Sequence, residues 1–493
     1  MSNVSLADKR LPKLLLALHF VHRMIILFTT ELFEFSDYSI FLDAIDRINT
    51  YGQIPLRQGF NLYLISYIGY FFKYTLRSPY LFYVLNALIA TFASYLIYYF
   101  IVKSTRNIKI GAIYLASLLF YNEFIAVSSI FYTQVFEICF ISLLLVFLYR
   151  LHYSKSVRQM ILYGTCISVL IILSLFFKGT MRYMWLLFFI LSVINFKDIH
   201  LFLKYSILSL TIVFSGLVLK NVSPRLYSVI NSHSISEEST WGYIFLGHTL
   251  YGGDGGEGAL IYPENITRYQ TNYENWLLSK SITTPSDKAE SEFRKSEILA
   301  FIRNEPHKWL VLQFNKLART YGVVPEGSTF MILFSGLFNY NVLATSLYLQ
   351  IPVILIFILL LLSFEPAIVR KLISRKFAWT WVFLFIYFVS ATTFYGPYQE
   401  RYRIPVIVIF FLPALSYQLY MFRIQSLYVR RRLSMCKAVG IVCVCSIWSF
   451  QAYEALVVNE DRYLNYINTV RESDDSLRQI ELLDRDPALL YKR

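Results

Sequence analysis

Asp37 stands just beyond the first long apolar run, in Ser36-Asp37-Tyr38-Ser39-Ile40-Phe41-Leu42-Asp43. A carboxylate beside lipid is costly to keep charged, so its presence there points to function. At a membrane surface it is placed to deprotonate an acceptor hydroxyl. Fixed cations fall on the same predicted face: Lys178, Arg182, Arg401 and Arg403. Such cations neutralise charge growing on a departing phosphate. Arginine adds a two-pronged match to phosphate oxygens, which favours Arg401 and Arg403. Asp43, Glu123, Glu137 and Glu400 are secondary acidic candidates. Each has a plainer alternative. Ser36-Asp37 precedes a helical pattern and would serve as a helix cap. Arg401 and Arg403 would serve to anchor a span end among headgroups. Glu123 and Glu137 would serve as buried hydrogen-bonding groups.

The elements that must hold these residues are apolar helices. Of 493 residues, 56% are hydrophobic, 18% aromatic and 16% charged, with mean hydropathy +0.49. A soluble domain carries roughly 25% charged residues. The deficit is spread over many apolar stretches of about 17–25 residues, the length that crosses a bilayer. Lipid satisfies no backbone polar group, so such spans are helices or closed barrels. Without alternating ten-residue segments, the pattern predicts an all-α polytopic membrane protein.

Eleven spans are expected, near residues 14–33, 79–102, 110–128, 132–149, 159–177, 181–196, 200–219, 342–363, 377–394, 404–422 and 438–456. Four regions follow. Residues 1–219 form an N-terminal transmembrane module that includes a first external loop, 34–78. Residues 220–326 form one long external hydrophilic loop. Residues 327–456 hold the C-terminal spans, and 457–493 a polar tail. Within 34–78 the Tyr-rich stretch Asn61–Phe72 reads as a helix at the interface or a short span. Pro306–Thr320 reads as an amphipathic helix resting on the membrane, opened by its proline. His19, His22 and Arg23 share one face of the first span, turned to the bundle interior or snorkelling.

The net charge of +14 would suggest nucleic acid in a soluble protein. Here the basic residues cluster in short loops: Lys103/Arg106/Lys109, Arg150/Lys155/Arg158, Lys197, Arg370/Lys371/Arg375/Lys376 and Arg430/Arg431/Arg432. That is the positive-inside pattern, and it places these loops and the N-terminus in the cytoplasm. No nucleic-acid partner is expected. The five cysteines lie in or beside spans, with neither a disulfide framework nor zinc spacing. The Gly252–Gly258 stretch lacks calcium-loop spacing and reads as a linker.

Asp37, Phe41, Asp43 and Gly52 resemble the first external loop of the GT-C glycosyltransferases. The likeness is to the protein-mannosyltransferase and aminoarabinose-transferase branch, whose motif is Asp-Glu-x-x-Tyr-x-Glu with a later Gly. Gln399-Glu400-Arg401-Tyr402-Arg403-Ile404-Pro405 is similar to the Arg-Tyr-x-x-Pro start of a late span in bacterial members. Pro306–Thr320 resembles their Pro-led helix before re-entry. The chain departs from the pattern at Tyr38, where the family has Glu. The family's Lys-Pro is replaced by Arg57-Gln58-Gly59, so Arg57 stands in for the lysine.

The resemblance implies a GT-C-like bundle and an inverting sugar transfer with Asp37 as base. Arg401, Arg403, Lys178, Arg182 and Arg57 would bind the donor phosphate. The donor would be a polyprenyl-phosphate-linked sugar, undecaprenyl-linked in a bacterium. The acceptor would be a glycan, lipid or protein, for example O-antigen or another surface glycan. The site would face the periplasm from the inner membrane, with no metal or cofactor required. Two rivals remain at this stage: a surface-polysaccharide polymerase or ligase, and a lipid-linked glycan transporter. The polymerases and ligases lean on basic residues in late loops. A transporter should show paired, broken spans in two related halves, and no such repeat is visible.

Overall fold

The structure is a computed structural model. It describes residues 6–29, 37–51, 60–78, 80–129, 133–175, 181, 183–222, 244–249 in part, 263–322 except 283, 342–363, 377–393, 403–424 and five positions between 442 and 449. Among the described residues the ordered elements are helices, and no strand occurs.

The first ten helices are α1 (Leu6–Thr29), α2 (Asp37–Tyr51), α3 (Phe60–Tyr70), α4 (Tyr80–Thr105), α5 (Ile108–Leu119), α6 (Asn122–Ser128), α7 (Gln134–Tyr153), α8 (Val157–Leu175), α9 (Met184–Ile194) and α10 (Ile199–Val222). The hydrophilic segment contributes α11 (Pro263–Ser279), α12 (Asp287–Asn304) and α13 (Pro306–Thr320). Then come α14 (Val342–Ser363), α15 (Ala378–Thr393), the short α16 (Arg403–Val406) and α17 (Leu412–Ile424). Five residues in a π-type turn, Ile407–Phe411, join α16 to α17.

Among the described residues five helices are long and apolar enough to cross a membrane, or six if α5 and α6, bent by 72° at their joint, count as one span. Shorter apolar helices occupy four more of the expected positions, in α9, α10, α14 and α15. The protein is therefore an all-α, membrane-embedded chain. The expected span at 438–456 falls almost wholly outside the described residues, as do 327–341 and the 457–493 tail.

Close approach of α4 and α5 explains one glycine. A Cβ at Gly111 would lie 2.6 Å from the Tyr98 ring and 2.8 Å from Val102. Only a residue without a side chain leaves room for that ring and that methyl group. Around this contact one continuous core runs through α4, α5, α7, α15 and α17.

The expected helix over Pro306–Thr320 forms with those bounds, and its sides are reversed relative to a soluble helix. Gln313, Lys316 and Thr320 are buried, while Leu310, Val311 and Phe314 are exposed. A polar side turned into protein and an apolar side turned out suits a helix lying on lipid. Leu312 of the same helix packs inward beside Gln313.

Helix ends sort into two groups. Lys103, Arg106, Lys109, Arg150, Lys155, Arg158 and Lys197 all lie at one end of the bundle, at the joints α4–α5, α7–α8 and α9–α10. We call this the basic end. The opposite end carries the α1–α2 joint, the α5–α6 bend, the start of α7, the C-terminus of α13 and the start of α16.

Candidate functional site

The α5–α6 bend is built by Phe120 and Tyr121, which close the helix and redirect the chain. It delivers Asn122 and Glu123 to the interior. The Asn122 side-chain amide donates to the Tyr348 carbonyl at 2.7 Å, tying the bend to α14. Glu123 is 1% exposed and meets Arg403, which is fully buried.

Arg403 spends all five of its N–H groups here. Nε donates to Glu123 Oε2 at 3.1 Å, and Nη2 donates to Glu123 Oε1 and to Gln350 Oε1, the latter at 2.8 Å. Nη1 donates to the carbonyls of Thr320, at 3.3 Å, and Gly322. Tyr121 Oη adds a hydrogen bond to Glu123 Oε2 at 2.9 Å. One guanidinium thus joins α6, the C-terminus of α13, α14 and α16. It satisfies carbonyls that a helix end otherwise leaves open. Removing one partner of such a pair would leave a buried, uncompensated charge.

This geometry revises the expectation that Arg403 grips a donor phosphate. Its donors are engaged and its side chain has no exposed surface, so it positions other elements. Glu123 is its counter-ion, in line with the buried hydrogen-bonding alternative.

A second polar group joins α1 to α6. Arg23 and His19 lie one helical turn apart and both are buried. Arg23 Nε donates to Ser128 Oγ at 2.6 Å, Nη1 donates to the His19 carbonyl at 2.8 Å, and the guanidinium lies over the Phe124 ring. His19 Nε2 contacts the Leu115 carbonyl at 2.8 Å. Of the two sequence alternatives for this face, the structure selects the bundle interior. Glu137 is also buried, in the first turn of α7.

The α2–α3 segment is more open. Ala44 and Ile48 of α2 pack against Tyr67 and Tyr70 of α3. Asp43 accepts from Arg47 at 2.7 Å. Asp46 Oδ1 accepts from Lys73 Nζ at 2.6 Å and from Tyr74 Oη at 2.7 Å. Burial opposes charge on Lys73, but Asp46 outweighs it and raises the ammonium above its ordinary range. Asp43 and Asp46 are therefore ion-paired carboxylates. Asp37 is the first residue of α2, eight residues beyond the end of α1, and its side chain is not among those described. Arg57, Lys178, Arg182, Glu400 and Arg401 lie outside the described residues.

Sequence reasoning missed a further cluster in the hydrophilic segment. Phe245, Tyr269, Phe293 and Ile298 form a small core of their own. Beside it, Trp309 Nε1 donates to His248 Nδ1 at 3.1 Å. That leaves Nε2 as the protonated nitrogen of a neutral ring. Lys316 Nζ lies 3.5 Å from that Nε2 and 3.3 Å from Gln313 Oε1. Burial lowers the Lys316 ammonium to about 7, and a neutral amine is the form that can accept from His248. The available signal was a lysine on the same face of an amphipathic helix as Leu312 and Gln313.

No protein-family model, no curated protein and no solved structure matches the chain. Fold and site define its class: an all-helical membrane-embedded protein whose described charged groups at one end are largely paired and partly or fully buried.

Proposed function

We propose that the chain is a GT-C-type membrane glycosyltransferase of eleven spans. It moves a sugar from a polyprenyl-phosphate donor to an acceptor hydroxyl on the side opposite the basic end. In a bacterium that side would be the periplasmic face of the inner membrane, and the product a surface glycan. The observation that carries the reading is the position of Asp37. It opens an amphipathic helix immediately after the first span, at the end of the bundle where α13 and α16 also meet.

The step is a single displacement. Asp37 takes the proton of the acceptor hydroxyl as its oxygen attacks the anomeric carbon. The bond from that carbon to the phosphate oxygen breaks, and polyprenyl phosphate leaves with inversion. The leaving group is a stable anion, so no general acid is needed. Arg401, Arg57, Lys178 and Arg182 are the cations assigned to it. Arg403 takes a different role: it fixes the backbone two residues after Arg401.

Purified full-length protein would be offered radiolabelled polyprenyl-phosphate hexoses and pentoses with membrane-glycan acceptors. Transfer with release of polyprenyl phosphate supports the reading. Elongation of preformed lipid-linked glycan, with no use of monosaccharide donors, would instead favour a polymerase.

A further inference from the structure

At the basic end, α4, α7 and α8 border an open groove of about 300 Å³. Its walls carry Tyr99 and Lys103 from α4, Tyr149, Arg150 and Tyr153 from α7, and Tyr163 from α8. Tyrosines and basic residues are common at any membrane interface, so their presence alone decides nothing. Their arrangement does.

Two cations converge on one ring. Lys103 Nζ lies 5.6 Å from the Tyr99 centroid, and the Arg150 guanidinium also lies 5.6 Å from it. Arg150 donates to the Tyr99 and Tyr163 hydroxyls. These bonds use two of its five N–H groups and fix the plane of the guanidinium. Tyr149 Oη donates to the Lys103 carbonyl at 3.3 Å, holding the end of α4 against α7. Among the described residues neither Lys103 nor Arg150 has a carboxylate partner, and both side chains are exposed. Two oriented, exposed cations in a concave site, with no carboxylate beside them among the described residues, are available to an anion.

The helices that line the groove also carry exposed apolar surface. Leu88, Phe92 and Tyr95 are exposed on α4, in the turns leading to Tyr99. Ile161 and Leu162 are exposed on α8 beside Tyr163. A ligand with an anionic head and long apolar tails matches both parts at once. Basic pockets between spans on this side of a membrane suit acidic headgroups.

We propose that this groove binds the phosphate of an anionic glycerophospholipid, with its acyl chains lying along α4 and α8. The site is at the opposite end of the bundle from Asp37 and stands independently of the glycosyltransferase reading.

The test uses the full-length chain in detergent, titrated with phosphatidylglycerol or phosphatidylcholine, with bound lipid counted by native mass spectrometry. The intact protein should prefer phosphatidylglycerol. Lys103→Gln with Arg150→Gln should weaken that binding on the order of tenfold. Lys109→Gln with Lys197→Gln, which removes equal charge elsewhere at the same end, should change it less than twofold. Equal weakening in the two double variants would mean diffuse surface attraction and overturn the site. So would unchanged binding in the groove variant. Arg150→Lys keeps the charge and should retain most of the affinity. A lysine as poor as glutamine would show that charge is not what the groove recognises. Displacement of phosphatidylglycerol by equimolar inorganic phosphate would overturn the lipid in favour of a soluble anion.

Discussion

The two ends of the bundle treat the same cation in opposite ways. At the basic end Lys103 and Arg150 face outward without a carboxylate among the described residues. At the other end Arg403 is buried against Glu123, Lys73 meets Asp46 and Arg47 meets Asp43. The first arrangement costs little, because water and lipid headgroups solvate the charges. A pair as deeply buried as Arg403 with Glu123 is worth keeping only where geometry matters, since desolvation consumes most of the attraction. Paired charges therefore mark where the fold fixes positions, and unpaired ones mark where it meets its surroundings.

The sharpest break in this comparison is at Arg403. Arg403→Ala, or Glu123→Gln, leaves an unpaired charge or orphaned acceptors in the interior and should cost about 3–5 kcal/mol. Arg150→Ala, which loses exposed contacts to Tyr99 and Tyr163, should cost about 1 kcal/mol. Thermal unfolding of the three variants in one detergent checks both figures. Near-equal midpoints for Arg403→Ala and Arg150→Ala would erase the distinction between the ends.

Arg401 and Arg403 should also separate. Arg403→Lys cannot reproduce five hydrogen bonds, so it should lower stability and turnover together. Arg401→Lys, if Arg401 meets donor phosphate, should lower turnover and leave the unfolding midpoint unchanged. A midpoint loss at Arg401 matching that at Arg403 would place both in the same structural hub.

A smaller effect is expected where packing, not charge, holds the spans. Gly111→Ala forces the Tyr98 ring and Val102 apart and should cost roughly 1–3 kcal/mol. A neutral result would show that α4 and α5 yield without cost.

A last effect, of a different kind, is a pH slope from Lys316. Its amine sits at about 7 when folded, against 10.5 for an ordinary lysine. Between those values the folded chain binds fewer protons than the unfolded chain, so stability rises with pH across that window. Below about pH 7 both states are protonated and the full penalty is present. Lys316→Met should flatten the slope, and an unchanged slope would assign it to other groups.

Much of the frame was legible because membrane spans announce themselves by length and apolarity. The sequence boundaries for α4, α7, α13 and the stretch from α16 through α17 agree closely with the helices found. The pairing of particular charges was not legible. Glu123 and Arg403 are 280 positions apart, and nothing in local spacing connects them. The same holds for Arg23 with Ser128 and for Lys316 with His248. Arg403 looked like a phosphate ligand because a sequence shows the residue type without its burial. The pairing of Asp46 was equally hidden, because its partners Lys73 and Tyr74 arrive only when α3 folds back on α2.

The central claim is that Asp37 is the base of a sugar transfer. Asp37→Asn keeps the shape of the side chain and removes its basicity. Its turnover should be measured beside the unaltered protein, with a polyprenyl-phosphate sugar and its acceptor, after confirming equal unfolding midpoints. The account predicts a fall of about 10²–10⁴-fold at unchanged stability. Turnover within twofold of the unaltered protein would contradict it.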